Sequence, residues 1–468
     1  MTLIKSISGI RGTIGGGVGE NLTPEDIVKF ASAYGQWLKN RNEANTTLKV
    51  VIGRDARISG EMLNHLVVGT LLGLGINVLD IGLSTTPTVE IAVPLEKAHG
   101  GIILTASHNP KEWNALKLLN EKGEFISADD GASLLEIAES GAVNYQTVGK
   151  LGTYSTDNSY FDKHIQHVLD LALVNKEAIA KKNFKVVIDC VNSTGGIVLP
   201  MLLKALGVNE VIELYCEPSG NFPHNPEPLP ENLTEIAAAV IKHNADLGIV
   251  VDPDVDRLAL VSEDGEMFGE EYTLVAVADY VLKHTNGSTV SNLSSTRALR
   301  DVTESNGCEY FASAVGEVNV VTKMKEVNAI IGGEGNGGVI YPTSHYGRDA
   351  LVGIGLFLSH LATFNGKTKK ACSELRSTYN SYFISKNKIE LTPEINVDNI
   401  LSMVHETYKK QPVSTVDGVK IEFDKEWVHL RKSNTEPIIR IYSESESETT
   451  ANHLAMKIIS DIKEIIKA

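Results

Sequence analysis

The chain has 468 residues, 42% of them hydrophobic and 22% charged, with a formal net charge of −16. That length is too great for one hydrophobic core and predicts several domains. The acidic balance argues against general nucleic-acid binding and requires any site for an anionic substrate to be locally basic. The four cysteines, Cys190, Cys216, Cys308 and Cys372, form no CxxC pair, which fits reduced thiols rather than a disulfide framework or a zinc site. Met1 to Ser6 has no signal-peptide pattern and no apolar stretch is long enough to span a bilayer, so a cytoplasmic protein with no membrane partner is expected.

In chain order, Ser8-Gly9-Ile10-Arg11-Gly12 comes first. Glycines around a single Arg let backbone and guanidinium approach a ligand together, although taken alone the stretch reads better as a flexible turn. Thr23-Pro24-Glu25-Asp26 starts a helix that should run to about Leu38, with a Thr N-cap, Pro at the first position and acids in the first turn. Lys49 to Gly53 is a strand entering a turn with Arg57. A helix carrying Leu63, Leu66, Val67 and Leu71 follows, then a strand from Ile76 to Ile81. Gly100 to Leu104 is a buried strand that ends at Thr105-Ala106-Ser107-His108-Asn109-Pro110, because Pro110 lacks an N–H and pushes Asn109 out of helical geometry. Ser107 is thus presented at a strand's carboxyl end, where open α/β sheets bind ligands. Alone, this hexapeptide reads equally as a polar turn or as a loop whose serine carries a phosphoryl group. Ser107-His108 is not a protease-type dyad, since adjacent side chains should diverge and no GxSxG elbow is present.

The order then repeats. Lys185 to Asp189 matches Lys49 to Gly53, Gly195-Gly196 opens a helix, and Glu210 to Leu214 is the middle strand. Leu247 to Val251 enters the loop Asp252-Pro253-Asp254-Val255-Asp256-Arg257. The turns that close the two returning strands, Asn120-Glu121-Lys122-Gly123-Glu124 and Ser262-Glu263-Asp264-Gly265-Glu266, are the clearest mark of an internal repeat. A weaker third copy starts near Ser288 and runs through a strand from Asn328 to Ile331 into Gly332-Gly333-Glu334-Gly335-Asn336-Gly337-Gly338. Three units thus each offer one loop from the same structural place, and such loops can converge on one cleft. The last stretch changes character. Strands at 389–391, 418–423, 427–431 and 438–442 precede an amphipathic helix over 448–466, a small α+β domain.

Asp252, Asp254 and Asp256 place three carboxylates within reach of one point, and oxygen-only ligation suits Mg²⁺ or Ca²⁺. An EF-hand is excluded by Arg257 at the glycine place and by strands on both sides. A solvated acidic turn is disfavoured because three close like charges repel unless cations offset them. Gly333 to Gly338 formally matches GxGxxG, but the chain continues as strand rather than helix, so a dinucleotide site is rejected. Gly366-Lys367-Thr368 lacks the glycine of a P-loop. Arg431, Ser433, Asn434 and Thr435 offer a guanidinium, two hydroxyls and an amide in five residues, which reads equally as a phosphate cradle or as a polar turn.

Together these loops resemble the α-D-phosphohexomutases, a family of phosphoglucomutases, phosphomannomutases and phosphoglucosamine mutases. TASHNP and DPDVDR carry the resemblance, which covers the whole chain in order and spacing. It implies three similar α/β domains with mixed sheets, at 1–152, 153–262 and 263–374, and a C-terminal α+β domain at 375–468, around a central cleft. It implies that Ser107 is a phosphoserine and that Asp252, Asp254, Asp256 and the phosphoserine oxygen hold Mg²⁺. It puts Arg11, His108, Lys117 and Arg257 near the transferred phosphoryl group and Glu334 and Asn336 at the sugar hydroxyls. Arg431, Ser433, Asn434, Thr435 and Arg440 fall at the phosphate that is not transferred.

The implied reaction interconverts a hexose 6-phosphate and a hexose 1-phosphate. A hexose 1,6-bisphosphate serves as intermediate and activator, and a kinase or bisphosphate donor first loads Ser107. Glucosamine 6-phosphate is the favoured substrate, its 1-phosphate feeding UDP-N-acetylglucosamine synthesis. Mannose and glucose phosphates are the alternatives, and a non-catalytic sugar-phosphate binder is the remote one. The chain departs from the bacterial phosphomannomutase/phosphoglucomutase pattern at Asn336 and Gly338, where that pattern has Ser and His; His345 offers a ring a few residues on. Asn434 stands where bacterial phosphoglucosamine mutases usually have Gly, and Glu317 where other branches place His or Asp. The combination is closer to archaeal and Bacteroidetes-type members.

Overall fold

A computed structural model describes residues 2–6, 9–43, 46–366, 371–391, 396–432 and 438–467. The chain forms two compact units. One comprises Met1–Thr273 with Asn336–Glu374, the other Leu274–Gly335 with Leu375–Ala468.

The first unit holds a seven-stranded sheet and a four-stranded one. In the larger sheet the strands run Ile4–Ser6, Gly9–Thr13, Trp113–Leu119, Gly100–Leu104, Lys49–Arg54, Asn77–Leu83 and Tyr154–Thr156 in spatial order. Successive side chains of a strand point to opposite faces. Val50, Ile52, Ile102, Leu104, Leu116 and Leu118 accordingly pack into one core with the helices Pro24–Arg41, Gly60–Gly73 and Ala128–Ser140. Val51, Ile103 and Leu119 join the core on the other face with the helix Thr86–Leu95. A sheet buried on both faces explains why these strands read as continuous apolar runs. Thr23 caps the first helix through a capping box with Asp26, so the start read from sequence stands, while the helix runs on to Arg41.

The internal repeat is visible in the topology. In the larger sheet the returning strand Trp113–Leu119 lies antiparallel to Gly100–Leu104, which lies parallel to Lys49–Arg54, followed by Asn77–Leu83. The smaller sheet has the same sequence of neighbours: Leu258–Ser262, Leu247–Val251, Lys185–Asp189, Glu210–Leu214. In the second unit Thr289–Asn292 lies parallel to Tyr310–Ser313 on one side and to Ile331–Glu334 on the other, the same central order again.

The third repeat needs one correction. The strand expected from Asn328 to Ile331 begins only at Ile331. The helix Glu317–Val327 ends at Asn328 in left-handed conformation, and the strand spans Ile331–Glu334, so Glu334 is its last residue rather than a loop residue. Asn is among the few residues that take this helix-ending conformation at low strain.

The second unit also contains an antiparallel five-stranded sheet, ordered Phe383–Glu390, Ile438–Ser445, Trp427–Lys432, Val419–Glu422, Val413–Ser414. The helices Val397–Tyr408 and Glu448–Lys467 pack into one core with it through Ile400, Val404, Leu454, Ile458 and Ile462. The first of these helices escaped the sequence reading. Among the described residues no helix is long and apolar enough to cross a membrane.

Candidate active site

The Ser107 loop begins where the buried strand Gly100–Leu104 ends. A Cβ at Gly100 would stand 2.1 Å from the Tyr34 hydroxyl, which donates to the Gly101 and Leu119 carbonyls, so only glycine lets that clamp close over the strand. Beyond it, Thr105 Oγ1 donates to Asp55 Oδ2 at 2.6 Å and accepts the Ser107 N–H at 2.9 Å.

Arg57 locks the rest of the loop. Its Nε reaches Asp55 Oδ2 at 3.1 Å, Nη1 donates to the Pro110 and Trp113 carbonyls, and Nη2 donates to those of Ser107 and Asn109. Both side chains of the Asp55–Arg57 pair are fully buried. A planar guanidinium with five fixed donors suits a curled loop that turns its carbonyls inward. The sequence showed Arg57 only as a turn residue; its signal was an Asp-x-Arg directly after a buried strand.

The loop holds Ser107 at φ 48, a left-handed conformation for a residue with a Cβ. This turns Ser107 Oγ to within 3.3 Å of His108 Nδ1, so the two side chains do not diverge as adjacent residues in extended chain would. The same geometry lets Ser107 Oγ donate to Asp252 Oδ2 at 2.8 Å. Beside the loop a cavity of about 30 Å³ is lined by Gly9, Arg11, Thr105, Ala106, Ser107, Ala115 and Lys117.

Asp252, Asp254 and Asp256 are completely buried, and their nearest carboxylate oxygens lie within 4.8 Å of one another. Asp252 Oδ1 accepts the backbone N–H groups of Asp256 and Arg257. Asp254 Oδ2 accepts from Thr86 Oγ1 and, at 2.7 Å, from Lys117 Nζ; Asp256 Oδ2 accepts from Arg348 Nη2 at 2.8 Å. Asp254 Oδ1 and Asp256 Oδ1 are buried without a hydrogen-bond partner. Buried carboxylate oxygens are nearly always paired, so two unpaired ones in an all-oxygen cluster fit a hard divalent cation.

The charges in the cluster push against one another. Burial, then the neighbouring Asp256 and Asp254, drive the Asp252 carboxyl well above its ordinary range. Burial acts the same way on Asp254, but Lys117 outweighs it and holds that carboxyl low. Burial opposes the charge of Lys117, and Asp254 and Asp256 overcome it, so its ammonium is strengthened. Burial and then Arg257 and Arg348 push His108 down to about 2, leaving a neutral imidazole. Arg257 Nη1 lies 3.6 Å from Glu227 Oε1, and its Nε is buried without a hydrogen-bond partner. Arg11, on the strand Gly9–Thr13, is lowered by burial and then by Arg257.

The first unit thus brings Ser107, His108, Lys117, Arg257 and the three aspartates together, with Arg11 close by. It adds Thr86 and Arg348, which sequence reading missed because they lie 168 and 92 residues from the carboxylates they meet. Asn336, in the same unit, accepts the Gly338 N–H at 3.2 Å and closes its own turn. His345 does not stand free: Asp349 Oδ2 and Glu90 Oε2 lie 3.0 and 3.4 Å from its two ring nitrogens.

In the second unit Glu334 is buried and its Oε1 accepts from Asn292 Nδ2 and from the Gly316 N–H. Arg431 Nε lies 2.7 Å from Asp417 Oδ2. Across the antiparallel pair Arg431 stands directly opposite Arg440. Leu430 and Ile441 in the next register lie in the helix-facing core, so both arginines occupy the other face of the sheet. Ser433, Asn434 and Thr435 lie outside the described residues.

The family models for phosphoglucomutase/phosphomannomutase match the chain in order: alpha/beta/alpha domain I at residues 3–144, domain II at 160–265, domain III at 269–382, and the C-terminal domain at 389–460. The chain belongs to this phosphoglucomutase/phosphomannomutase family. It is 35% identical over 464 residues to a phosphoglucomutase/phosphomannomutase of Thermococcus kodakarensis, covering 98% of each chain. It is 32% identical, with 98% of each chain covered, to a probable phosphoglucosamine mutase of Methanopyrus kandleri. A crystal structure of a phosphoglucomutase/phosphomannomutase family protein from Burkholderia thailandensis superposes with a TM-score of 0.84 at 25% identity, covering 100% of this chain and 98% of that one.

Proposed function

We propose that this chain is a phosphohexomutase that interconverts hexose 6-phosphate and hexose 1-phosphate through a phosphoserine at Ser107. The observation that carries the reading is the Ser107 hydroxyl donating into a buried aspartate triad that retains two unpartnered oxygens. In the forward direction the phosphoserine P–O bond breaks as a new P–O bond forms to the free sugar hydroxyl. That hydroxyl's proton passes to the neutral imidazole of His108, and Ser107 Oγ leaves as an alkoxide that takes a proton from the Lys117 ammonium. The hexose bisphosphate then turns end for end and returns its other phosphoryl group to Ser107. Such transfer depends on in-line positioning and charge neutralisation more than on covalent chemistry by the protein.

Asp252, Asp254 and Asp256 are the residues to hold Mg²⁺, which when bound supplies positive charge against the phosphoryl oxygens. Lys117, Arg257 and Arg11 add fixed cations beside Ser107, meeting the requirement that an acidic chain be locally basic here. We assign Arg431 and Arg440, with Ser433, Asn434 and Thr435, to the phosphate that stays, and Glu334 and Asn336 to the sugar hydroxyls. Relatives named probable phosphoglucosamine mutase support glucosamine phosphate as the favoured substrate, and a relative named phosphoglucomutase/phosphomannomutase keeps mannose and glucose phosphates as the alternatives. Side-by-side coupled assays with glucosamine, mannose and glucose 6-phosphates, primed with the matching bisphosphate, test the reading. Turnover of none overturns it; slow glucosamine turnover beside fast mannose turnover overturns only the glucosamine preference.

A further inference from the structure

Outside the site, the smaller sheet of the first unit ends in an arrangement that the mutase reaction does not use. Its neighbouring parallel strands Lys185–Asp189 and Glu210–Leu214 are in register, Asp189 opposite Leu214. Cys190 follows the first strand and Cys216 follows the second by two residues. In regular strands Cys190 would share a face with residue 215, and Cys216 would point the other way. Here Tyr215 has φ 52, which breaks the alternation. As a result the Cys190 N–H and the Cys216 thiol converge on one acceptor, the Leu214 carbonyl, at 3.3 and 3.4 Å.

Both cysteines also pack on the glycine pair that opens the next helix. A Cβ at Gly195 would stand 3.4 Å from Cys190 Sγ, and one at Gly196 would stand 2.6 Å from Cys216 Cα. Burial, then the Cys216 side chain, pushes the Cys190 thiol well above the ordinary thiol range. Cys190 is fully buried and Cys216 half-buried, so an oxidant meets Cys216 first.

The pair abuts the loop that supports the candidate site. Val191 and Asn192 have φ 47 and 53, positions that a β-branched residue rarely takes without strain. Ser193 Oγ and Thr194 Oγ1 then donate to the Pro253 carbonyl, between Asp252 and Asp254. Ser193 Oγ also accepts the Ala56 N–H, between Asp55 and Arg57. One short loop therefore braces both the aspartate turn and the clamp of the Ser107 loop, and it starts at Cys190.

We propose that Cys190 and Cys216 are a redox-sensitive dithiol whose oxidation to a disulfide disturbs this brace and lowers turnover. With a peroxide as oxidant, the Cys216 thiolate attacks one peroxide oxygen, the O–O bond breaks, and Cys216 becomes a sulfenic acid as one water leaves. The Cys190 sulfur then attacks the Cys216 sulfur; the S–S bond forms, the S–O bond breaks, and hydroxide departs with the Cys190 proton as a second water. Two thiols lose two electrons and two protons, and one peroxide becomes two waters.

The test treats the full-length protein with hydrogen peroxide, followed by tryptic mapping without reductant. Cleavage at Lys204 separates the cysteines, so the disulfide appears as a cross-linked pair of peptides, 186–204 with 205–242, that dithiothreitol dissolves. Turnover should fall by about tenfold with the cross-link and return with the reductant, since small displacements of a positioned site cost rate on that scale. Cys216→Ser should keep basal turnover and resist peroxide; if it misfolds, Cys216→Ala takes its place. Absence of the cross-link overturns the dithiol, and a cross-link with unchanged turnover overturns its coupling to the site. Equal peroxide inhibition of Cys216→Ser does so as well. The mapping needs no activity, so failure of the mutase reading would be seen separately.

Discussion

Ser107 Oγ donates to Asp252 Oδ2 at 2.8 Å across 145 residues of sequence, joining the carboxyl-end loops of two repeats of the same topology. A phosphoserine there would bring its oxygens to the triad without moving the backbone. We expect Ser107 to carry a phosphoryl group in at least part of the isolated protein, since an unphosphorylated mutase has nothing to donate. Intact-mass measurement of wild type and Ser107→Ala reads this directly. The variant should lose the phosphorylated species and mutase turnover together; full turnover in it would rule out the mechanism.

The triad predicts one bound divalent cation. Asp254→Ala and Asp256→Ala each remove one of the two unpartnered oxygens, and each should weaken Mn²⁺ binding, followed by paramagnetic resonance, and collapse turnover. Neither should unfold the protein, because each deletion also relieves repulsion among three buried like charges. Activity that survives excess chelator argues against any metal role.

Arg57 should be worth more to the fold than its turn position suggests. Arg57→Ala strands a buried Asp55 carboxylate and four inward-facing carbonyls. Removing one partner of a buried ion pair destabilises by about 3–5 kcal/mol. Arg57→Lys should recover little of this, because one ammonium cannot reproduce five donors in a plane. Denaturant titration of the two variants measures the difference.

The residues of the Ser107 loop, the aspartate turn and the glycine-rich loop were legible in sequence because each is a short local pattern at a strand end. So was the repeat, since apolar runs and closing turns recur in order. What stayed hidden depends on long-range pairing. Arg57, Thr86 and Arg348 are common residue types with no local signature, and their meaning comes from the partners that the topology delivers. The misread strand near Asn328 failed for another reason. An apolar run as short as Ala329 to Ile331 fits a helix end followed by a strand as well as it fits a strand, and only the left-handed Asn328 separates the two. The closeness of Ser107 and His108 was missed because extended geometry was assumed where φ is positive.

Acid should weaken the second unit through His429. Burial first, with help from Lys420 and Arg431, pushes this imidazole down to about 4. The neutral ring fits its partners: Nε2 donates to the Asp417 carbonyl and Nδ1 accepts from Ser294 Oγ. A histidine whose folded pKa lies below its unfolded value, about 6.5, stabilises fully above that value and loses the contribution as pH falls toward 4. The loss is about 1.4 kcal/mol per pH unit across that window. Thermal melts of wild type and His429→Gln between pH 7 and 4.5 isolate it. The variant should start less stable and show a shallower acid slope; parallel slopes would falsify the assignment.

Arg431 and Arg440 face each other directly across antiparallel strands, a placement that like charges disfavour. Lys388 stands opposite Arg440 on its other side, so three cations form a row over three strands on one face. Asp417 and Glu390 supply carboxylates to Arg431 and Lys388, respectively. An anion is the natural further counter-charge, and the phosphate that is not transferred is the one that the proposed reaction supplies. Arg431→Ala should therefore weaken binding of sugar phosphates by about 2–5 kcal/mol, the range for truncating one side of a buried charge pair. The loss should appear with both the 1-phosphate and the 6-phosphate, because each isomer presents its staying phosphate here in one half-reaction. Fold stability should hold, since relief of the repulsion in the cation row offsets loss of the partly exposed pair with Asp417. Titration calorimetry with each isomer, beside a thermal melt, separates these effects. A variant impaired with one isomer alone would show that the two half-reactions do not share this cradle.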